Sequence, residues 1–407
     1  MDILPILSTL RRHRITALLI VLEIALTCAI VCNAVFLINQ RLERMKLISG
    51  VAEHELVQVR VVSIADRPDA VARTQEDVAQ LRQIPGVVQV ALVNEVPFTN
   101  SSWNTSVKLD PKQKLATMEA TQYFGENLLS TFGARLIAGR HFTTDEYMDY
   151  EALKHDPKLA SKIHVVIITK AMGEHLWPKK SALGQTFYLN DVPVRVVGIV
   201  DNLIRPSLSN GDDTAQWSMV FPIRMDTGNA SRFVLRTAPD RRAAVMAAAA
   251  EMLRRADPHR IVLDKNTLDD LRSQFFQNDR AMAATLVGVI VALLTVTALG
   301  IVGLASFWVA QRRRTIGVRR ALGATRADIL RYFQTENFLL ATIGIALGMV
   351  LAYGINMLLM THYELPRLPP AYLPVGAVAL WLLGQLSVLS PALRAADVPP
   401  VVATRSV

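Results

Sequence analysis

The chain has 407 residues, of which 51% are hydrophobic and only 19% are charged. Soluble domains carry nearer a quarter of charged residues, so this composition indicates that part of the chain lies in lipid. The net charge of +9 does not indicate a nucleic-acid partner, because arginines gather beside apolar runs, at 11–14 and 312–320. The composition therefore excludes an ordinary soluble enzyme and favours a membrane protein that binds no nucleic acid.

Four apolar segments have the roughly 20 residues that a membrane-spanning helix needs. In chain order, the predicted spans are 15–38, 281–310, 336–360 and 372–390. The first is too long for the apolar core of a signal peptide and no small-residue cleavage site follows it, so it is predicted to stay uncleaved. The fourth is the weakest prediction, because Pro374 and Gly384 interrupt its apolar run.

The first span carries an acid and two cysteines. Glu23 lies well inside it, and an intramembrane acid is a functional candidate. The alternative is a pairing role near the membrane boundary, with a partner that the sequence does not identify. Cys28 and Cys32 share one helix face and have no further metal ligands nearby, so we predict that both are packing residues.

Arginine placement predicts the orientation of the spans, because Lys and Arg accumulate at cytoplasmic span ends. Arg11, Arg12 and Arg14 place the N-terminus in the cytoplasm, and alternating crossings then bring Arg312 to the same side. The predicted topology has cytoplasmic segments 1–14, 311–335 and 391–407, and external segments 39–280 and 361–371.

The external segment 39–280 mixes β-rich stretches such as "VPVRVVGIV" with helical ones such as "DRRAAVMAAAAEMLRRA". Asn190 and Asp191 are predicted to form the turn of a hairpin. Some 240 residues suffice for one large or two smaller α+β lobes. We expect a bipartite arrangement in which one part interrupts the other.

Signs of catalysis are weak in this segment. Its histidines are scattered, and neither a G-x-S-x-G elbow nor an H-E-x-x-H pair occurs. "GRHFTTDE" brings His141, Asp145 and Glu146 together, but a solvated turn is the favoured interpretation over a metal site. No G-x-x-x-x-G-K-[ST] occurs either, so this sequence cannot bind ATP through a P-loop. We therefore predict no catalytic residue, no metal and no cofactor bound directly.

The segment 311–335 is predicted to be a helical elbow. A first helix would bring Ile316, Arg319 and Arg320 near one face, and "GAT" at 323–325 would end it. Thr325 can cap a second helix, with Asp328 in the capping-box position. Ile329, Leu330 and Phe333 give that second helix an apolar stripe.

A strip of small residues follows in the third span, at Gly344, Gly348 and Ala352. Small residues four apart allow two helices to approach closely. Packing within the subunit and an interface between two permease chains are both consistent with this strip.

Several stretches resemble one family. "RRRTIGVRRALGATRADILRYFQTE" is similar to the segment after the second span of FtsX-type permeases of ABC transporters, with Thr315 where a glutamate is usual. "TQYFGENLLSTFGARLIAGRHFTTDE" and "VVIITKAMGEHLWPKKSALGQTFYLNDVPVRVVGIVDN" resemble blocks of the MacB-like periplasmic domain, and "SPALRAADVPPVVATR" resembles the family's ending. Together with the order of the spans, the resemblance to MacB-like, FtsX-type permeases covers nearly the whole chain.

This resemblance implies an α-helical membrane protein with four transmembrane helices and a large α+β periplasmic domain between the first and second spans. It also implies a bacterial inner-membrane location, a second permease chain (a copy or a paralogue) and separate ABC ATPase subunits that bind ATP and Mg²⁺. A separate ATPase is expected because at most 14 residues precede the first span. A periplasmic adaptor and an outer-membrane channel are further expected partners.

The elbow is then expected to be the coupling helix that contacts the ATPase. The expected coupling residues are Arg313, Arg314, Ile316, Gly317, Arg319, Arg320, Leu322, Gly323, Ala324 and Thr325. The alternative is that these arginines only enforce topology and touch anionic lipid, at about 1 kcal/mol each. For Arg312, which lies closest to the membrane, that topological role is the favoured interpretation.

The function implied is mechanotransmission, in which ATP-driven motion passes along stalk helices to the periplasmic domain and exports an amphiphile or a peptide. The stretches "NQRLERMKLIS" and "TLDDLRSQFFQNDRA" have the helical periodicity expected of such stalks. The alternatives are a lipoprotein-release permease of the LolC/LolE kind and an FtsX-like regulator of a cell-wall hydrolase. A membrane sensor, which would have no ATPase partner, is a third.

Overall fold

The computed structural model describes residues 14–63, 69–208, 211–226, 231–363 and 367–399. The chain divides into two compact units: Met1–Met45 with Asn278–Val407, here called the membrane unit, and Lys46–Gln277, here called the external unit.

The helices are, in chain order, α1 (Arg14–Met45), α2 (Ala70–Arg82), α3 (Leu128–Phe132), α4 (Tyr150–His155), α5 (Lys170–Leu176), α6 (Arg242–Ala256), α7 (Leu268–Phe275), α8 (Gln277–Gln311), α9 (Arg313–Ala321), α10 (Arg326–Tyr363) and α11 (Tyr372–Ala396). Short 3-10 helices cover Glu53–Glu55, Thr144–Glu146, Pro157–Lys162, Asp212–Thr214 and Pro239–Arg241.

The strands are β1 (Leu56–Ser63), β2 (Val87–Val93), β3 (Asn104–Val107), β4 (Met118–Phe124), β5 (Leu136–Gly139), β6 (Met148–Asp149), β7 (Val165–Thr169), β8 (Thr186–Leu189), β9 (Val192–Val200), β10 (Ser218–Phe221), β11 (Ile223–Arg224), β12 (Ser231–Thr237) and β13 (Arg260–Thr267).

The helices α1, α8, α10 and α11 are long and apolar enough to cross a membrane. With 32 residues, α1 is about 48 Å long at 1.5 Å per residue, longer than the roughly 30 Å of a bilayer's hydrocarbon core. Pro374 does not interrupt α11, because it lies in the first turn, where its missing N–H group would have no intrahelical partner. The predicted fold class, four transmembrane helices with an α+β domain between the first two, is confirmed.

The small-residue strip of α10 packs against α1 of the same chain. A Cβ added to Gly348 would lie 2.5 Å from Cys28 Cβ and 2.7 Å from the Ala25 carbonyl oxygen. Ala352 is fully buried, and its carbonyl oxygen accepts a hydrogen bond of 3.1 Å from Asn33 Nδ2. Of the two roles predicted for the strip, packing within the subunit is therefore the one observed. Cys28 and Cys32 are buried, free thiols in this core, as predicted.

The external unit contains two lobes. Lobe 1 is an antiparallel sheet with strand order β13-β1-β12-β2, and its core also includes residues of α2 and α6. Lobe 2 is a larger mixed sheet with order β3-β4-β10-β7-β9-β5, with β8 paired to β9. Because all strands of lobe 2 come from between β2 and β12, lobe 2 interrupts lobe 1, which confirms the predicted bipartite arrangement.

The sheet of lobe 2 curls until β8 approaches β3. The Lys108 N–H group donates to the Tyr188 carbonyl oxygen at 3.0 Å, and the Tyr188 N–H group donates back at 2.8 Å. The β8–β9 hairpin that makes this closure turns at Asn190 and Asp191, with φ angles of 44° and 73°. Two positive φ angles define a type I′ turn, so the predicted hairpin is confirmed. The sheet therefore resembles a small barrel around its apolar core.

Candidate coupling site

The elbow between α8 and α10 is a short helix followed by a sharp turn. Helix α9 ends at Ala321, and Gly323 has a φ angle of +103°, which strongly favours glycine. Thr325 then caps α10: its N–H group donates to Asp328 Oδ2 at 3.0 Å, and the Asp328 N–H group donates to Thr325 Oγ1 at 3.2 Å. The helix break and the capping box predicted from the sequence are both confirmed.

The inner side of the elbow packs against the end of α11. Ile316, Ile329 and Phe333 are about 4–5% exposed and share an apolar cluster with alanines of α11. Gly317 is also buried. The predicted apolar stripe of α10 is confirmed, and the elbow is held by its own core.

An ion pair fixes the start of the elbow. Arg312 Nη1 lies 3.0 and 3.1 Å from the two carboxylate oxygens of Glu336, and the exposed fractions of the two side chains are 14% and 2%. The Arg312 guanidinium also lies 5.6 Å from the ring centre of Trp308. Arg312 therefore has a structural role within its own chain as well, and the topological role expected for it stays a prediction. The sequence offered little signal for Glu336, because its partner is 24 residues away and meets it only after the chain reverses direction.

A second arginine ties the elbow to the C-terminal end of α11. Arg320 Nη1 donates to the carbonyl oxygens of Ala396 and Val398 at 2.8 and 2.9 Å. With Ile316 and Gly317, it belongs to the predicted coupling residues that face their own chain. These three residues shape the elbow, and their expected contact with an ATPase stays a prediction.

The outer side of the elbow is exposed. Leu322 is 83% and Val318 is 42% exposed, and their i,i+4 spacing places both on one helix face. The other exposed residues of the predicted set are Arg313, Arg314, Arg319, Gly323 and Thr325, whereas Ala324 is half-buried. The Arg319 guanidinium lies 4.8 Å from the ring centre of Tyr332. The outer side of the elbow therefore presents two apolar side chains together with three exposed arginines.

Glu23 faces a different helix of the membrane unit. Its carboxylate oxygens lie 2.6 Å from the position of a Cβ on Gly300 of α8, so the glycine provides the space for the carboxylate. One turn along, Thr27 and Thr297 join the same helices by a hydroxyl hydrogen bond of 2.8 Å. The neighbour of Glu23 that the sequence could not identify is therefore α8, and a functional role for this acid stays a prediction.

The group at 140–146 is a capped turn. Glu146 accepts hydrogen bonds from both terminal nitrogens of Arg140, at 2.8 and 2.5 Å, and from the Thr143 N–H group at 2.9 Å. The hydrogen bonds from Arg140 lower the pKa of Glu146 to about 2. Within the described ranges, no group of three His, Cys, Asp or Glu side chains is placed to hold a metal ion.

Comparison with known proteins places this chain in a family. The model of the MacB-like periplasmic core domain matches residues 15–254, more than half of the chain, and that of the FtsX-like permease C-terminal region matches residues 287–400. The chain therefore belongs to the FtsX-like ABC transporter permeases with a MacB-like periplasmic core domain. This family generally implies an ATPase partner and a dimer, and the four apolar helices fit an inner-membrane protein.

Individual relatives are distant. The uncharacterized ABC transporter permease YknZ of Bacillus subtilis is 25% identical over 366 residues, covering 84% of this chain and 82% of that protein. The macrolide export ATP-binding/permease protein MacB of Shewanella oneidensis is 27% identical over 364 residues, covering 86% of this chain and 52% of that protein. The chain thus spans about half the length of that MacB relative. The solved periplasmic region of MacB from Actinobacillus actinomycetemcomitans is 14% identical, with a TM-score of 0.34, and covers 57% of this chain and 97% of that one.

Proposed function

We propose that this chain is the non-catalytic permease subunit of an ABC transporter and that a separate ATPase chain, which binds ATP and Mg²⁺, docks on the outer side of the elbow. The observation that carries the proposal is the exposed apolar pair of Val318 and Leu322 on an elbow whose inner side packs into the membrane unit. The N- and C-termini lie in the cytoplasm with the elbow.

The chemistry of the elbow suits a partner with an apolar cleft and an acidic rim. Leu322 would fill the cleft, since well-packed apolar anchors at the centre of an interface contribute most of its binding energy. The arginines around it would steer the encounter and set the orientation, as charges at an interface rim do. Arg313, Arg314 and Arg319 are exposed and available for this role.

The same subunit is proposed to relay motion to the external unit. Beyond the predicted spans, α1 and α8 are joined by Asp279, which lies 3.0 Å from Arg41 and 3.9 Å from Arg44. The stalks are shorter than predicted, because α1 ends at Met45 and a break at Phe276 separates α7 from α8. We propose that a tilt of the elbow moves α1 and α8 together and that the external unit follows through its two chain connections.

Export of an amphiphile or a peptide is the transport task we propose, by a pair of permease chains that are copies or paralogues. A periplasmic adaptor and an outer-membrane channel complete the proposed assembly.

The test is whether the elbow retains an ATPase. Full-length tagged chain would be purified from membranes of its native host, and co-purified chains identified by mass spectrometry and assayed for ATP hydrolysis. Leu322→Asp should weaken ATPase binding by about thirtyfold, the effect of losing about 2 kcal/mol at an interface anchor. The control is Arg394→Glu, an exposed residue near the end of α11 that changes the net charge more but lies outside the elbow.

The two variants should insert and unfold alike. Equal ATPase recovery with Leu322→Asp and Arg394→Glu would contradict docking at the elbow, and the absence of any co-purified ATPase would contradict the proposed subunit role.

A further inference from the structure

A cavity of about 530 Å³ opens on lobe 2 of the external unit. This volume is within the range of sites that take small organic ligands. Buried side chains of three strands of this sheet line its inner part: Phe124 of β4, Phe221 of β10 and Val194 of β9. Leu153 of α4 and the 3-10 helix Pro157–Lys162 form another part of the lining. The cavity is thus the open mouth of the barrel-like sheet, a common place for ligand sites.

Trp103 lies at this mouth and is held there by its own chain. Its ring packs edge-on against Phe124, with 5.6 Å between ring centres, and lies 5.9 Å from Tyr150. Its carbonyl oxygen accepts a hydrogen bond of 2.7 Å from the Gln122 N–H group, which continues the β3–β4 pairing by one residue. The Trp103 side chain remains 40% exposed. A large, preorganised aromatic surface is therefore available to an apolar ligand at little cost in conformational entropy.

The charge at the rim has one sign. Lys158 is the only charged side chain among the described residues that line the cavity. Lys158 is exposed and forms no ion pair with the described part of the chain, whereas neighbouring Lys154 is paired with Glu151 at 2.6 Å. The cavity therefore combines an apolar interior with a single ammonium group at its edge.

We infer that lobe 2 binds a monoanionic amphiphile, with its apolar body against Phe124 and Trp103 and its acidic head beside Lys158. The apolar interior favours a hydrocarbon or aromatic body, at roughly 25 cal/mol for each Å² removed from water. The ammonium group of Lys158 favours a carboxylate, sulfate or phosphate head over an amine. The inference specifies the substrate class of the proposed function, on which it rests, but its test needs neither ATP nor an ATPase, so the two proposals fail separately.

Photo-labelling tests the inference on the full chain in lipid nanodiscs. The probe is decanoate with a diazirine near its methyl end, and adducts are mapped by peptide mass spectrometry after irradiation. Adducts are expected on the peptides that contain Trp103, Tyr150 and Leu153. Unlabelled decanoate should compete for them, and decyltrimethylammonium should compete about tenfold less well, because it places a like charge beside Lys158. Adducts confined to the membrane helices, or equal competition by the cation, would overturn the inference.

Two variants sharpen the test. Lys158→Glu should lower labelling of the cavity about fivefold, the upper range for an exposed ion pair, while Lys179→Glu, an exposed lysine outside the cavity, should leave it unchanged. Thr105→Trp on β3 should remove labelling by filling the cavity. Because Lys158 is exposed, its variant does not depend on repacking the core, and equal labelling of the two lysine variants would contradict an anion site at Lys158.

Discussion

The membrane unit has a half-buried arginine and the external unit a fully buried one, and the two arginines have different partners. Arg312 of the membrane unit is paired with the carboxylate of Glu336, whose side chain is 2% exposed. Arg205 of the external unit is 2% exposed and donates to two hydroxyl groups, Thr121 Oγ1 at 2.9 Å and Thr214 Oγ1 at 3.2 Å. Burial lowers the pKa of Arg205, because the charge of Glu119 offsets only part of the lost hydration.

The difference shows that the free-energy cost of removing an arginine depends on which groups it leaves in the protein interior. Without Arg312, a carboxylate would stay buried without its countercharge. Without Arg205, only neutral hydroxyls would lose a donor, and Thr121 would keep Asn104 Oδ1 as an acceptor at 2.8 Å. A stranded charge costs several times more than an unsatisfied hydroxyl. The two units should therefore respond unequally to the same substitution.

The largest effect is expected for Arg312→Met. It should lower the free energy of unfolding by about 3–5 kcal/mol, because the buried carboxylate of Glu336 loses Arg312 as its ion-pair partner. Thermal unfolding of the purified full chain would measure the loss. Arg313→Met, next in the chain but exposed, is the matched control, and Glu336→Leu added to Arg312→Met should restore most of the stability. A loss of stability no greater than that of Arg313→Met would contradict the expectation that the ion pair between Arg312 and Glu336 stabilises the membrane unit.

Gly348→Ala tests the close packing of α1 and α10 in the membrane unit, because it changes the size of a side chain and no charge. A single added methyl group would meet Cys28 Cβ at 2.5 Å and the Ala25 backbone at 2.7 Å, so α1 and α10 must separate. Overpacking of this kind costs about 1–3 kcal/mol. Gly354→Ala lies on the same helix with nothing within 4 Å of the added atom and should be neutral or stabilising. Equal unfolding temperatures for the two variants would show that the contact between α1 and α10 is looser than the structure has it.

Arg205→Met is the matching substitution in the external unit. The expected loss is about 1–2 kcal/mol, less than for Arg312→Met, because the groups left behind are neutral. The same unfolding assay measures it, with hydrogen exchange around Thr121 to locate the change. A loss as large as that of Arg312→Met would mean that removing a donor from two neutral hydroxyls costs as much as removing the cation from a buried carboxylate.

The same contrast explains how far the sequence predicts this molecule. Runs of apolar residues, the "GAT" break and the capping pair Thr325–Asp328 act over a few residues, so the spans and the elbow follow from local physics. The Asn190–Asp191 turn is local as well. Contacts between distant segments were not predictable, because nothing near Arg312 points to Glu336 and nothing near Glu23 points to Gly300. The direction in which each arginine of the elbow faces depends on such contacts, so the sequence did not indicate that Arg320 donates to the carbonyl groups of Ala396 and Val398.

The smallest effect is expected for an exposed pair, Arg140 and Glu146, whose side chains are 48% and 17% exposed. The pKa of Glu146 is about 2, below its ordinary value of 4.5, so the folded state favours the ionised carboxylate. The contribution of Glu146 to the free energy of unfolding is therefore present above about pH 5 and is lost as the pH falls from about 4.5 towards 2. Because solvent screens the pair, we expect Glu146→Gln to cost below about 1 kcal/mol at pH 7, and less at pH 3.

Unfolding of the full chain at a series of pH values would measure the difference in the free energy of unfolding between the wild type and Glu146→Gln. Glu174→Gln, an exposed acid whose nearest cation, Lys170, is 3.8 Å away, is the matched control and should show no such closing gap. A gap that widens as the pH falls would reverse the sign of the linkage, since it would mean that protonated Glu146 is the form that the fold prefers. A cost at pH 7 that equals that of Arg312→Met would show that burial does not determine the strength of these ion pairs.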